Sequence, residues 1–250
     1  EKKPLSPPVG EESDVEFFKY MWEPVSDEFR FKINLVQEDK ITKRQALSNV
    51  ARIFDPLGWL SPLTIVAKLF IQKLWVRQSA WDEILPNEFQ EEWNDFKKHI
   101  DVIQQIKIPR WIKSKIGSEL EIHGFADASE KAYAAVVYLK SESSIILLTA
   151  KSKVNPIKNK KTLPKLELSA AHLLAKLLRK VADIFNRPHK IYAWSDSTIT
   201  LGWINNSKNK DKFIRSRVSE ILTLLLEAEW SHVSSKDNPA DVASRGVCAP

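Results

Sequence analysis

Four acidic residues in the second half of the sequence stand where their neighbours predict the end of a strand or the start of a helix. They are Asp127, Glu167, Asp196 and Asp241. Taken singly, an aspartate at a strand end is a common turn former, and an acid at a helix start caps the helix or complements its dipole. Those roles do not explain why four acids should face one edge of one predicted sheet.

Carboxylates brought within a few ångströms of one another repel, and each raises the pKa of the others unless cations are present. Mg²⁺ prefers oxygen ligands and binds few protein carboxylates, because it takes its other ligands from water and substrate phosphate. Two such ions about 3.5–4 Å apart stabilise the attacking and the leaving oxygen of a phosphodiester. The acids therefore predict a hydrolase with two Mg²⁺ ions, and the choice between Mg²⁺ and Mn²⁺ stays open. No nucleophile motif of the GxSxG type occurs in the sequence.

The elements that must position these acids follow one another from about residue 118 to the end. Three strands are predicted at ELEIHGFAD, AYAAVVYLK and SIILLTA, then a long amphipathic helix with Thr162 as N-cap, and a fourth strand at KIYAWSD. Two helices, a fifth strand at EWSHVSS and a short helix near Asn238 complete the order βββαβααβα. This order predicts an α/β fold with a five-stranded mixed sheet flanked by helices.

The first part of the sequence has a different composition. Residues 1–40 contain a Pro-rich, charged start and a predicted β-hairpin in FFKYMWEPVSDEFRFKINL. Residues 41–115 have apolar residues at helical spacing, interrupted by DPLG, SP and LP, which predicts a small module of three or four helices. We expect residues 116–250 to form the sheet domain. Packing in the core and between helices is the expected role of Trp59, Trp75, Trp81 and Trp93, and stacking on nucleobases is the alternative.

The composition limits the class of protein. Of 250 residues, 43% are hydrophobic, which is enough for a buried core, and the formal net charge is +6. That charge favours a polyanionic partner, although a lysine surplus is also typical of a solvated surface. Cys248 is the single cysteine, which excludes an intrachain disulfide and a cysteine-based zinc site. The apolar runs are too short to cross a bilayer and no secretory leader opens the chain, so we expect a cytoplasmic protein without a membrane partner.

Four motifs in order, FADAS, TLPKLEL, AWSDST and NPADVASRG, resemble the D-E-D-D acids of the ribonuclease H fold in the form found in LTR retrotransposon polyproteins. Residues 42–86 resemble the segment that joins reverse transcriptase to ribonuclease H in the BEL/Pao group, and the resemblance covers the chain from about residue 15. It implies that residues 1–40 contain the terminal hairpin of a reverse transcriptase. It also implies that residues 41–115 form a thumb-like or connection-like module.

The function that this resemblance implies is endonucleolytic cleavage of the RNA strand in RNA–DNA hybrids, with a 3′-hydroxyl and a 5′-phosphate as products. By the same resemblance, Asp127 bridges both metal ions, while Glu167 and Asp196 hold the ion on the leaving-group side. Asp241 would hold the ion that activates water. The implied partners are the hybrid and the reverse transcriptase polymerase domain upstream in the same polyprotein. The implied location is the virus-like particle of a retrotransposon in the cytoplasm.

Five further residues are candidates for substrate binding. Selection of RNA requires contact with its 2′-hydroxyl, and we expect this contact from backbone groups of Ala128 and Ser129, together with Ser197. Lys165 ends a run with six lysines that suits phosphate contacts or a solvated loop. Lys236 stands where many relatives carry a histidine that assists product release.

Two other functions stay open at this point. The first is a hybrid-binding connection domain that keeps the fold without catalysis. The second is an aspartic peptidase, since DAS and DST faintly resemble the Asp-Ser/Thr-Gly signature. The glycine is missing at both sites, however, and Glu167 and Asp241 would have no role in a peptidase. No YxDD motif occurs, so DNA synthesis by this chain is not expected.

Overall fold

A small antiparallel sheet opens the part of the chain that the structure describes. This computed structural model describes residues 15–17, 20–112, 119–142, 144–185, 189–206 and 209–247. The strands, in their order across the sheet, are β1 (Val15–Phe17), β2 (Tyr20–Glu23), β3 (Glu28–Phe31) and β4 (Lys107–Pro109). The predicted hairpin is present as β2 and β3. Cys248 and the Pro-rich start lie outside the described residues.

Three helices form the module that the apolar spacing predicted. They are α1 (Lys43–Ala51), α2 (Ser61–Val76) and α3 (Asn87–Ile103). Phe31 of β3 shares one core with Phe70 and Trp93, so the small sheet and the helices pack together. The expectation of core packing is wrong for Trp75 and Trp81. They are 48% and 40% exposed, and their rings meet edge to face on the surface.

A second sheet carries the predicted fold class. Its strands are β5 (Leu120–Ala128), β6 (Ala132–Ser141), β7 (Ser144–Val154), β8 (His189–Ser195) and β9 (Glu229–His232). Their order is β7-β6-β5-β8-β9, with antiparallel pairs from β5 to β7 and parallel pairs from β5 to β9. The α/β class and the five-stranded mixed sheet are confirmed. β7 continues through Lys151 and Lys153, where a loop was expected, because β6 keeps pairing with it as far as Val154.

Helices flank this sheet in the predicted order. They are α4 (Leu163–Ile184), α5 (Thr198–Asn205), α6 (Lys212–Leu224) and α7 (Asp241–Arg245). α4 begins after the predicted N-cap, Thr162, and packs its apolar face on β5. A Cβ on Gly124 of β5 would lie 2.5 Å from Leu174 Cδ1 and 2.9 Å from the Leu178 side chain, so only glycine lets α4 approach this strand so closely. Within the described residues, no helix is both long and apolar enough to cross a membrane.

The helical module docks on the outer strand of the five-stranded sheet. Ala150 of β7 donates its N–H to the Leu57 carbonyl at 2.8 Å, and the Trp59 indole donates to the Leu148 carbonyl at 3.1 Å. Gly58 lies at this contact with a φ of +75°, where a Cβ would sit 1.7 Å from the Ala150 oxygen. The backbone of the module thus pairs with an edge strand that would otherwise expose unpaired groups.

Candidate metal centre

Three of the four acids meet at one edge of the five-stranded sheet. Asp127 lies near the end of β5, Asp196 directly follows β8, and Glu167 lies in the first turns of α4. One carboxylate oxygen from each lies within 4.8 Å of the other two. β5 and β8 are adjacent parallel strands, so their carboxyl ends share an edge. β7 runs in the same direction, and α4 therefore begins at that edge as well.

Burial makes two of these acids, Asp127 and Glu167, difficult to ionise. Asp127 is 1% exposed and Glu167 is 8% exposed. Burial raises the pKa of Asp127 to about 6, and the charges of Asp196 and Asp241 add to the rise. Burial also raises the pKa of Glu167 to about 8, with smaller contributions from the charges of Asp127 and Asp196. At neutral pH the group therefore favours holding either protons or a cation.

The oxygen atoms of this group fit a hard divalent ion. Glu167 Oε2 and Asp196 Oδ1 are buried, and neither has a hydrogen-bond partner within the described part of the chain. Buried carboxylate oxygens of this kind destabilise a fold unless a cation satisfies them. An all-carboxylate set suits Mg²⁺ or Mn²⁺ and lacks the nitrogen and sulfur ligands typical of structural zinc. Asp127 completes the set that would hold such an ion.

Asp241 lies beside this group but is not one of the three. It is the first residue of α7, and its carboxylate accepts from the guanidinium of Arg245, one helical turn later. Its charge contributes to the raised pKa of Asp127, so it acts on the group electrostatically. The charge of Arg245 opposes the rise in pKa of both Asp127 and Glu167. In this structure Arg245 thus neutralises the fourth acid.

Three predicted substrate-binding residues lie in the segments that carry the acids. Against the larger effect of burial, which raises the pKa of Glu167, the backbone of Ala128 lies close enough to that carboxylate to lower its pKa. Ser129 closes the turn between β5 and β6 through its N–H and its hydroxyl. Ser197 is the N-cap of α5, so the capping role that was open to Asp196 falls to its neighbour.

The two predicted lysines lie in different elements. Lys165, in the first turn of α4, forms an ion pair with Asp211 at 2.8 Å. Lys236 is exposed in a short 3₁₀ helix after β9. The hydroxyl of Ser235, in the same short helix, donates to Asp196 Oδ2 at 2.7 Å. The segment that carries Lys236 is therefore tied to the acid group.

A cluster of cations around Phe213 was missed in the sequence. Its ring centroid lies 5.2 Å from Lys161 Nζ, 5.6 Å from Lys165 Nζ and 5.5 Å from the Arg217 guanidinium. Burial, with repulsion from Arg217 and Lys153, lowers the pKa of Lys161. Cations that repel one another around an aromatic ring favour the binding of an anion. The run of lysines before Glu167 indicated part of this cluster. No pattern of neighbouring residues predicts that Arg217, on α6, lies beside them.

Ser244 is a second functional candidate that the sequence reading missed. It is 0% exposed, and its hydroxyl donates to Asp127 Oδ2. Ser244 follows Asp241 by three residues in DVASR, and this spacing places both on one face of a helical turn. This three-residue spacing was the sequence feature that could have indicated a role for Ser244 beside the acids.

The chain is similar to a known protein family and to solved structures. The model of the Pao retrotransposon-like RNaseH-like domain matches residues 42–197, which is more than half of the chain. A foamy viral protease-reverse transcriptase in complex with dsDNA matches with a TM-score of 0.59 and 12% identity, over 89% of this chain and 45% of that chain. The dRH form of the foamy viral protein with dsDNA matches with a TM-score of 0.54 and 14% identity, over 89% and 38% of the two chains.

RNase H1 from the halophilic archaeon Halobacterium salinarum NRC-1 matches with a TM-score of 0.37 and 13% identity, over 49% of this chain and 90% of that chain. The present chain spans less than half the length of the two foamy viral chains that it matches. At these identities, the likeness to the foamy viral protein shows a shared fold and no more. No curated protein matches the sequence.

Proposed function

Because the chain belongs to the Pao retrotransposon-like RNaseH-like domain family, we propose that it is a ribonuclease H that cleaves the RNA strand of RNA–DNA hybrids. It would act as a divalent-metal-dependent endonuclease during the reverse transcription of a retrotransposon. The observation that carries this proposal is the meeting of Asp127, Glu167 and Asp196 within 4.8 Å. Three acids so close, two of them buried, oppose folding unless protons or a cation neutralise them.

The cofactors of this reaction would be two Mg²⁺ ions, with Mn²⁺ as the alternative. Asp127 is the candidate for contact with both ions, since the charges of Asp196 and Asp241 both act on it. Glu167 and Asp196 would hold one ion. Asp241, once released from Arg245, would hold the other. When bound, the ions stabilise charge on the phosphodiester and lower the pKa of the attacking water.

Within the part of the chain that the structure describes, Asp196 and Glu167 each have one carboxylate oxygen without a hydrogen bond, and that oxygen is free to bind an ion. Ser235 donates to Asp196 Oδ2, while Asp196 Oδ1 has no hydrogen-bond partner among the described residues. The Ala128 backbone lies beside Glu167, whose Oε2 is likewise without a hydrogen-bond partner in the described chain. Carboxylates oriented in this way are typical of preorganised metal ligands.

Binding of the hybrid would use the cations around Phe213. Lys161 and Lys165 stand at the start of α4, close in sequence to Glu167, and Arg217 lies on α6. Contacts of Lys161, Lys165 and Arg217 with phosphates would make the affinity fall steeply with salt. The 2′-hydroxyl of the RNA strand would be contacted from the segments that carry the acids. The candidates there are Ala128, Ser129, Ser197 and, on the loop tied to the acid group, Lys236.

The organisation we propose for the chain has three parts. Residues 1–40 are the end of a reverse transcriptase, residues 41–115 a thumb-like or connection-like module, and residues 116–250 the ribonuclease H-like domain. β4 of the second part pairs with β3 of the first, which supports the folding of these two parts as one unit. The fold shared with foamy viral protease-reverse transcriptase over 89% of this chain supports an upstream polymerase domain as a partner. The proposed location is a virus-like particle in the cytoplasm.

The ion pair between Asp241 and Arg245 favours a second candidate function. If Arg245 remained paired with Asp241 when metal was present, one of the two ions would lack a ligand. The protein would then bind hybrid without cleaving it, as a connection domain.

The deciding experiment is cleavage of a labelled RNA–DNA hybrid by the full chain, beside single-stranded RNA and duplex RNA, in Mg²⁺, in Mn²⁺ and in chelator. We expect metal-dependent cutting of the RNA strand of the hybrid alone. The absence of cutting with any metal, together with salt-sensitive binding of the hybrid, would replace this proposal with the connection-domain function. Cutting that persists in chelator would refute the metal mechanism.

A further inference from the structure

The short helix α7 depends on its surroundings for its position. It has five residues, Asp241–Arg245, and a helix of that length is not stable in isolation. Ala240 and Ala243 are buried in a small cluster with alanine and valine side chains of the sheet. Tertiary packing therefore decides where the side chains of α7 lie.

One side of α7 contacts the metal centre through Ser244. This serine is 0% exposed, and its hydroxyl donates to Asp127 Oδ2. Its carbonyl accepts from Ser129 Oγ at 3.2 Å, which joins α7 to the turn after β5. A buried hydroxyl in this position fixes the rotation of the Asp127 carboxylate, so that Oδ1 is directed away from the hydrogen bond.

The end of α7 contacts α2 of the helical module. Gly246 ends the helix with a φ of +88°, and a Cβ there would lie 2.5 Å from Val66 Cγ2 and 3.3 Å from the Pro62 oxygen. The N–H of Val247 donates to the same Pro62 oxygen at 3.3 Å. The module therefore touches the chain two residues after Ser244.

We propose that Ser244 is a positioning residue for Asp127, and that α2, through Val66 and Pro62, holds the helix that carries it. The helical module is then a structural part of the metal centre, beyond any role in contacting nucleic acid. This inference rests on the proposed function, because it assumes that Asp127 binds metal. Removal of a group that orients a metal ligand typically lowers metal affinity about 10–100-fold.

The test is calorimetric titration of the full 250-residue chain with Mn²⁺ in the absence of nucleic acid, so that it does not depend on cleavage. Ser244→Ala should weaken Mn²⁺ binding about tenfold or more. Val66→Ala should weaken it less and in the same direction. The double variant should bind no more weakly than Ser244→Ala, because Val66 acts through Ser244. Circular dichroism at the titration temperature should show every variant folded.

Two matched controls separate positioning from general loss of packing. Ser141→Ala removes a buried hydroxyl at the opposite end of β6, and Val76→Ala removes the same methyl groups from an exposed position on α2. Both should bind Mn²⁺ as the parent does. Equal affinity in Ser244→Ala and the parent would overturn the positioning role. Equal affinity in Val66→Ala and Val76→Ala would overturn the part assigned to α2. A parent chain that binds no Mn²⁺ would overturn the proposed function itself.

Discussion

Asp127 and Asp196 follow directly paired residues of two adjacent parallel strands, since Ala126 of β5 lies opposite Ser195 of β8. This register places the two acids side by side, and α4 adds Glu167 to them. The closeness that suits a divalent ion also concentrates negative charge in a buried position. The acid group should therefore weaken the metal-free fold, and this effect can be measured.

Asp127→Asn should abolish cleavage of the hybrid and stabilise the metal-free protein. Asparagine keeps the shape of the side chain but removes a charge whose burial raises the pKa of its carboxyl to about 6. We expect the free energy of unfolding at pH 8 to increase by roughly 1–3 kcal/mol. Urea unfolding in chelator measures this change. Asp237→Asn, at an exposed aspartate of the nearby 3₁₀ helix, should change neither property, and retained cleavage in Asp127→Asn would refute the metal assignment.

The stability of the metal-free protein should fall as the pH rises from about 4.5 to about 8. The folded-state pKa values of Asp127, about 6, and Glu167, about 8, exceed their ordinary values of 3.8 and 4.5. Between these limits Asp127 and Glu167 bind more protons in the folded state than in the unfolded state, so these two groups remove stability as the pH rises. Saturating Mg²⁺ should flatten the dependence. Thermal melts across this pH range, with chelator and with Mg²⁺, test the prediction, and stability that rises with pH in chelator would contradict it.

Lys161→Ala combined with Arg217→Ala should weaken binding of the hybrid and reduce its dependence on salt. Each lost phosphate contact should lower the slope of log affinity against log salt by about 0.9 for a duplex, so the pair should lower it by about 2. Fluorescence anisotropy at several salt concentrations measures the slope. Lys180→Ala, which removes an exposed charge from the other end of α4, is the control and should have a smaller effect. Equal slopes in the double variant and the parent would exclude these residues from phosphate binding.

Gly124→Ala should destabilise the ribonuclease H-like domain, because the new Cβ would overlap Leu174 Cδ1. Overpacking of this kind costs about 1–3 kcal/mol in the free energy of unfolding. Gly202→Ala is the matched control, since its Cβ meets nothing within 4 Å and the position lies within helix α5. That variant should gain up to about 1 kcal/mol from helix propensity. Urea unfolding compares the two, and equal stability would contradict the close approach of α4 to β5.

Arg245→Ala should lower the Mg²⁺ concentration needed for half-maximal cleavage. The substitution frees Asp241 from its ion pair, so a cation no longer competes with the metal for that carboxylate. Cleavage rates across a Mg²⁺ titration measure the shift. Arg179→Ala breaks an ion pair of the same spacing, with Asp183 on α4, and should leave the midpoint unchanged. An unchanged midpoint in Arg245→Ala would mean that Arg245 does not compete with metal.

The order of the strands and helices was predictable because its signals are local. Short runs rich in apolar residues predicted β5, β6 and β8, and Thr162 predicted the start of α4. The same signals put acids at strand ends and helix starts, so the residues of the candidate metal centre could be named from sequence. One prediction failed because it, too, considered only neighbouring residues. The lysines after Ala150 look like a loop, yet pairing with β6 extends the strand through them.

Only the tertiary structure decided which of these residues share a site. Three acids meet within 4.8 Å, while Asp241 is paired with Arg245 on its own helix. Ser244 reaches Asp127, and Gly246 reaches Val66, across separations that no local pattern encodes. The physical reason is that periodicity and capping depend on neighbouring residues, whereas burial, pKa and hydrogen bonding depend on distances between elements far apart in the chain. The sequence alone therefore determined the elements and the acids, and the packing of α7 between the sheet and α2 decided how the centre is assembled.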